Sequence, residues 1–150
     1  FGDGNNMARS WINAAKLLDI DLWIATSADT HPGKKFVEDA LETARGRITI
    51  TDNPAEAADK VDILYTDVWA SMGEKSESAA RADSLKAFQI NEKLLQNANP
   101  NSIVMHCLPA ERGKEITDAV MDGAKSVVFD QAENRLHGQK TILLWTLGEI

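Results

Sequence analysis

Two short segments carry residue types that could do chemistry together. One is Asp67-Val68-Trp69-Ala70-Ser71-Met72-Gly73; the other, about 40 residues on, is His106-Cys107-Leu108-Pro109, which holds the one cysteine of the chain. A carboxylate and a thiol can exchange a proton when a fold brings them into contact. Proline two residues after the cysteine constrains the turn, and such a turn can aim backbone carbonyls at a ligand. In the first segment Trp69 and Met72 flank a serine and are followed by Gly73 and a charged run. That is the make-up of a loop that folds over a ligand, with glycine as hinge and apolar side chains excluding water. Taken singly, the same residues have plainer uses: an acidic helix cap, a turn-forming serine, a filler methionine, a buried free cysteine. His106 is expected on the opposite strand face from Cys107, so a hydrolase-type cysteine nucleophile lacks its base.

Two further segments bear charge or hydrogen-bonding groups. Gly2-Asp3-Gly4-Asn5-Asn6-Met7 begins like the dinucleotide fingerprint G-x-G-x-x-G, but Met7 stands at the third glycine position, which weakens a nucleotide reading. A helix starting at Asn5-Asn6 would still present free N–H groups to a carboxylate. Glu133-Asn134-Arg135-Leu136-His137 is expected to open the last helix. Arg135 there is either a solvated charge or a rigid fork for phosphate or carboxylate. His31, His106 and His137 with one cysteine show no zinc-ligand spacing, so no metal is expected.

The elements that must position these residues follow from hydrophobic period. Met7, Trp11, Ala14, Ala15 and Leu18 recur at helical spacing; Asp21 to Thr26 reads as a buried strand; Phe36, Val37, Ala40, Leu41 and Ala44 mark a second helix ending near Gly46. Ile48 to Thr51 is the next strand, and Asp52 or Asn53 caps a short helix from Pro54 to Lys60. Val61 to Thr66 gives a third strand, Glu74 to Arg81 a loop or helix start, and Leu85 to Leu95 helical material. Ser102 to Met105 and Ser126 to Phe129 supply the last strands, around a short helix at Ile116 to Met121. Such alternation predicts a single α/β domain, Rossmann-like and doubly wound, with a mainly parallel sheet and helices on both faces. Asp67, Ser71, Met72 and Cys107 then fall at the carboxyl ends of neighbouring strands, the edge where open α/β sheets bind ligands.

Bulk properties narrow the function. The chain of 150 residues carries 43% hydrophobic residues, enough for an ordinary core. Sixteen Lys and Arg against 23 Asp and Glu give a net charge of −7, with the basic residues dispersed. A nucleic-acid or anionic-membrane surface, which needs a concentrated basic patch, is not expected. No apolar run reaches the roughly 18 residues of a membrane span and no signal pattern opens the chain, so a soluble, cytoplasmic protein is expected. The opening glycine turn should follow a strand of which Phe1 alone is present, as in a chain cut from something longer. Thr141 to Leu147 is helical in context and apolar on nearly every side, so it calls for cover by a part of the protein that is not here.

Four segments in order carry a resemblance: Gly2-Asp3-Gly4-Asn5-Asn6-Met7-Ala8, Asp67 to Gly73, His106-Cys107-Leu108-Pro109-Ala110, and Val128 to His137. Together they resemble the ornithine carbamoyltransferase family, over essentially the whole chain, in its carboxyl-terminal, ornithine-binding domain. The resemblance implies transfer of the carbamoyl group of carbamoyl phosphate to the δ-amino group of L-ornithine, giving citrulline and phosphate without metal or organic cofactor. It implies that Asn6, with Asn5 beside it, Asp67, Ser71 and Met72 hold the α-amino and α-carboxylate ends of ornithine. Cys107 and Leu108 would meet the carbamoyl group and the reacting amine, Asp67 and Cys107 would handle the proton, and Arg135 would contact carbamoyl phosphate. The Ser-Met-Gly triplet points to ornithine over aspartate, putrescine or N-acetylornithine.

The family's amino-terminal Ser-Thr-Arg-Thr-Arg phosphate loop and His-Pro-x-Gln segment are nowhere in this chain. The resemblance therefore implies half of an active site, completed by an amino-terminal carbamoyl-phosphate domain and by a neighbouring subunit of a trimer. Three other readings stay open: a carbamoyltransferase for another amine or amino acid, a non-catalytic amino-acid-binding domain of the same fold, and a nucleotide-dependent oxidoreductase using Gly2 to Met7.

Overall fold

The computed structural model describes residues 1–69 and 78–150, without the side chains of 78–81. Ser71 and Met72, expected in the ligand-covering loop, lie outside the described residues. After the Gly-Asp-Gly turn, Asn5 takes an extended backbone and its side chain accepts the Met7 N–H, capping α1 (Asn6–Leu17), which buries Ile12 and Ala15. Four parallel strands follow, each of four residues. β1 (Leu22–Ala25) pairs with β2 (Ile48–Thr51), and β3 (Ile63–Thr66) with β4 (Ile103–His106). Parallel neighbours need crossovers, and α2 (Lys34–Leu41) supplies the one from β1 to β2. α3 (Pro54–Ala57) starts on Asn53, whose side chain accepts the N–H groups of Ala55 and Glu56.

Residues 1 and 2 lie between the two strand pairs. Gly2 N–H donates to the Ala25 carbonyl at 3.0 Å and the Phe1 ammonium to the Tyr65 carbonyl at 2.8 Å. The strands thus form two parallel pairs, β1–β2 and β3–β4, linked through the hydrogen bonds of residues 1 and 2, with Ser126 forming a lone parallel bridge to Val104 beside β4. A cavity of about 600 Å³ adjoins Phe1 and Gly2, lined in part by Ile24, Ile63 and Tyr65.

Adjacent strand residues face opposite ways, and β1 shows the result. Ile24 packs with Ile12, Val37 and Ala40, whereas Ala25 packs with Ala57, Trp69, Leu85 and Phe88. Both faces of the sheet are covered, as a doubly wound α/β fold requires. A third cluster joins Leu64 and Val104 to Ile90, Ile116, Val120 and Val128.

Two elements differ from expectation, the first in part. Leu85 to Leu95 is helical material, as expected, but broken in the middle. α4 (Ser78–Leu85) runs into a 3-10 turn at Lys86–Phe88, Ile90 then extends to bridge Ile116, and α5 (Glu92–Leu95) begins afresh on Asn91. Ile90 is fully buried, and core burial of a β-branched side chain outweighs the helical period around it. Ser126 to Phe129 is likewise no strand beyond the one bridge. After α6 (Asp118–Met121), Val128 and Phe129 open α7 (Val128–Leu147), so Glu133 to His137 lie inside that helix rather than at its start. A short apolar run suits a buried strand or a helix start equally; here Val128 turns into the core. Every residue from 133 to 150 is exposed. Among the described residues no helix is long and apolar enough to cross a membrane.

Candidate functional site

Asp67 is the first residue after β3 and Cys107 the first after β4. The register that pairs Thr66 with His106 therefore sets them side by side. Cys107 Sγ–H donates to Asp67 Oδ1 at 2.9 Å. The same oxygen accepts the Val68 N–H at 2.8 Å, and Oδ2 accepts the Asn5 amide N–H at 3.3 Å. Because the Asn5 amide oxygen caps α1 through the Met7 N–H, one side chain both starts the helix and holds the carboxylate. The thiol is pushed up from its ordinary 9.0 to about 11, first by burial and then by the hydrogen bond to Asp67 and the charge of that carboxylate. At neutral pH it is an S–H donor.

His106 faces the other way and is fully buried. Its Nδ1 accepts the Leu108 N–H at 2.8 Å and its Nε2 meets Glu115 Oε1 at 3.2 Å. An accepting Nδ1 carries no proton, so Nε2 carries it and a neutral imidazole donates to Glu115. The same carboxylate oxygen accepts the Glu111 N–H at 2.5 Å. These bonds hold the turn. Leu108 sits at φ 55 ahead of a cis Leu108–Pro109 peptide, and a non-glycine residue in that left-handed region costs about 1–3 kcal/mol. Glu115 was not among the residues expected from sequence. It lies nine residues beyond His106, outside any local motif, and a carboxylate in a charged stretch gives no sign of burial.

α7 brings Arg135 to the same turn, with Nη1 3.5 Å from the Cys107 carbonyl. Arg135 and Leu108 line an open depression of about 580 Å³, where the exposed guanidinium retains donors for an anion. Asn6 is not brought in. It is the exposed first residue of α1, and among the described residues no contact joins its side chain to Asp67 or Cys107. Of the pair, Asn5 is the one whose side chain contacts Asp67. Sequence reading also missed Tyr65 and Gln131, which join beneath the turn: Gln131 Nε2–H donates to the Tyr65 hydroxyl at 3.3 Å.

The glycine turn is explained by packing. Gly2 has φ 110, and a Cβ there would lie 2.8 Å from Trp69 Nε1; a Cβ on Gly4 would run into the Thr30 carbonyl. Among the described residues, no three His, Cys, Asp or Glu side chains gather as a metal site would require.

Residues 1–146 match the family described as aspartate/ornithine carbamoyltransferase, Asp/Orn binding domain. The chain is 50% identical over 145 residues to the catabolic ornithine carbamoyltransferase of Thermoplasma acidophilum, covering 95% of this chain and 48% of that protein. Among solved structures, it superposes on the ornithine carbamoyltransferase of Pyrococcus furiosus with a TM-score of 0.88 at 43% identity, covering 99% of this chain and 49% of the other. On the anabolic enzyme of Campylobacter jejuni the TM-score is 0.90 at 32% identity, covering 99% and 50%. The chain spans about half the length of the curated relatives it matches.

Proposed function

The chain belongs to the aspartate/ornithine carbamoyltransferase family, as its Asp/Orn-binding domain, and from that premise we propose that it forms the ornithine-binding half of an ornithine carbamoyltransferase. The reaction moves the carbamoyl group of carbamoyl phosphate to the δ-amino group of L-ornithine, giving citrulline and phosphate. The observation that carries this reading is the contact of Asn5, Asp67 and Cys107 at one sheet edge, with the thiol 2.9 Å from the carboxylate.

An amine with an ordinary pKa near 10 must lose a proton before it can attack. Asp67, a carboxylate aligned by three donors, holds the ammonium and accepts the proton it gives up. Cys107 stays protonated beside it and donates toward the carboxylate. The free amine then attacks the carbamoyl carbon, the bond from that carbon to the phosphate oxygen breaks, and phosphate departs with the bonding pair and takes up the second amine proton. Arg135 and the turn of Cys107 and Leu108 face the carbamoyl group and its developing negative charge, where donors already in place lower the barrier. Asn6, with Asn5 beside it, and Asp67, Ser71 and Met72 hold the amino-acid end of ornithine.

The phosphate end belongs to an amino-terminal domain beyond this chain, in a homotrimer or a multiple of one, within the cytoplasm. The half-length match to relatives and the exposed apolar residues of α7, Ile142, Leu143, Trp145 and Leu147, support a two-domain enzyme whose domains meet along this helix. The test is citrulline formation by this chain alone and mixed with a separately produced amino-terminal half. Activity is expected in the mixture only, and with ornithine rather than putrescine or aspartate. Two halves that bind each other yet form no citrulline would sink the reading.

A further inference from the structure

The outer edge of β4 begins a parallel ladder whose partner then turns into a helix. Val104 N–H donates to the Lys125 carbonyl at 2.8 Å, and the Val127 N–H donates to the Val104 carbonyl at 3.0 Å. Two residues on, the N–H that points to the same edge is that of His106, and the acceptor a continued strand would offer it is the Val127 carbonyl. That carbonyl is already taken, at 2.8 Å, by the Gln131 N–H as α7 starts. His106 is fully buried, so its N–H has no water to turn to. The Gln131 side chain supplies the acceptor: its amide oxygen takes the His106 N–H at 3.0 Å. A backbone N–H can only donate, so that contact fixes which way the amide faces, and Nε2–H donates to the Tyr65 hydroxyl at 3.3 Å. One side chain thus stands in for the strand that has ended and fastens α7 to both β4 and β3.

We propose that Gln131 is a positioning residue: by tying the first turn of α7 to the ends of β3 and β4, it sets where Arg135 stands against the Cys107 turn. Val128, Gln131 and Arg135 recur at helical spacing and share one face of α7. Val128 is buried in the core beside Val104, and Gln131 bonds His106. One turn further, about 6 Å along the axis, Arg135 Nη1 lies 3.5 Å from the carbonyl of the residue that follows His106, Cys107. Beyond Ala132 every residue of the helix is exposed, so the guanidinium takes its place from the anchored first turn rather than from packing around it. Val128 fixes how deep the helix sits on the sheet; the amide, bonded at both its ends, fixes the rotation. The inference deepens the carbamoyl-transfer reading and rests on it for what Arg135 does to carbamoyl phosphate, whereas the anchoring of α7 does not depend on that role.

The hydrogen bond is read first in the unmodified chain by NMR, as the scalar coupling between the His106 backbone nitrogen and the Gln131 side-chain carbonyl carbon, and its absence overturns the proposal. Gln131→Leu removes both bonds of the amide; Gln131→Glu keeps an acceptor for the His106 N–H. In Gln131→Leu the His106 amide should exchange roughly tenfold faster or more, and the Arg135 guanidinium signals should move to those of a solvated arginine. Gln131→Glu should stay close to the unmodified chain in both readouts. Where Gln131→Leu does not fold, Gln131→Asn, one methylene shorter, keeps the amide but loses its reach, and the same shifts are expected. Arg135 signals that stay in place in the folded variant sink the idea without any need of turnover. In the enzyme reconstituted from its two halves, the same substitution should raise KM for carbamoyl phosphate roughly tenfold and leave KM for ornithine within about twofold, with Gln131→Glu restoring most of the loss. General loosening of the fold would raise both, so equal rises count against a positioning role. An unmodified pair that forms no citrulline would instead fail the carbamoyl-transfer reading, and the NMR measurements would still decide whether Gln131 places Arg135.

Discussion

Asp67 and Cys107 divide the work by charge state. The carboxylate gathers the Cys107 S–H, the Val68 N–H and the Asn5 amide, whereas the thiol, held near 11, keeps its proton throughout the physiological range. Asp67→Asn preserves shape and most of these contacts but removes the charge that the substrate ammonium requires. In the reconstituted pair it should lower kcat by roughly 10²–10⁴, with the apparent affinity for carbamoyl phosphate little changed, as steady-state kinetics would show. The thiol also links stability to pH. Below about pH 9 it is protonated in both folded and unfolded chains and its contribution is complete. Between about 9 and 11 the unfolded thiol ionises while the folded one retains its proton, so stability falls as pH rises through that window. Urea unfolding at a series of pH values should show this decline, and Cys107→Ala should flatten it.

At the scale of elements, the turn after β4 depends on a carboxylate that lies outside it. Leu108 keeps its left-handed backbone because His106 Nδ1 takes its N–H, and His106 is held by Glu115, which also receives the Glu111 N–H. Glu115→Ala strands a buried imidazole N–H and weakens the anchor of the 111–115 loop, at about 1–3 kcal/mol for each stranded group. Glu115→Gln keeps an acceptor oxygen in place and should lose much less. Denaturant unfolding of the two variants checks the order, and Glu115→Ala should also slow citrulline formation by letting the turn relax. Short elements of this kind were the harder ones to read. The cap at Asn5 and the start at Pro54 are written in neighbouring residues, but the break at Ile90 arises from its bridge to Ile116, and Val128 opens a helix because it fills the core beside Val104.

Across the whole molecule the notable surface is α7. Trp145 is 72% exposed and Leu147 73%, on a helix that touches the sheet at its first turns near β4 and then projects from it. A large aromatic residue on such a face fits an anchor in an interdomain contact. Trp145→Glu should weaken association with the amino-terminal half by about 2 kcal/mol or more, roughly thirtyfold in Kd, measured by titration calorimetry. Hydrogen exchange across 136–147 should slow when that half is added, and an unchanged rate in a demonstrably associated pair would place the contact elsewhere.

The alternation of helices and strands, and the placing of Asp67 and Cys107 at strand ends, were legible in the residues, because hydrophobic period, caps and turn formers act between near neighbours. Arg135 and Asn5 were legible as polar groups at the same edge for the same reason. Glu115, Tyr65 and Gln131 were not, and neither was the contact of Asn5 with Asp67. Their roles come from contacts 9 to 66 residues apart, created by the register of β3 on β4 and by the angle at which α7 leaves the sheet. A side chain that will be buried and paired looks, in sequence, like one that will be solvated. Only packing determines which donor meets which acceptor, since the cost of stranding a polar group arises once water has been excluded.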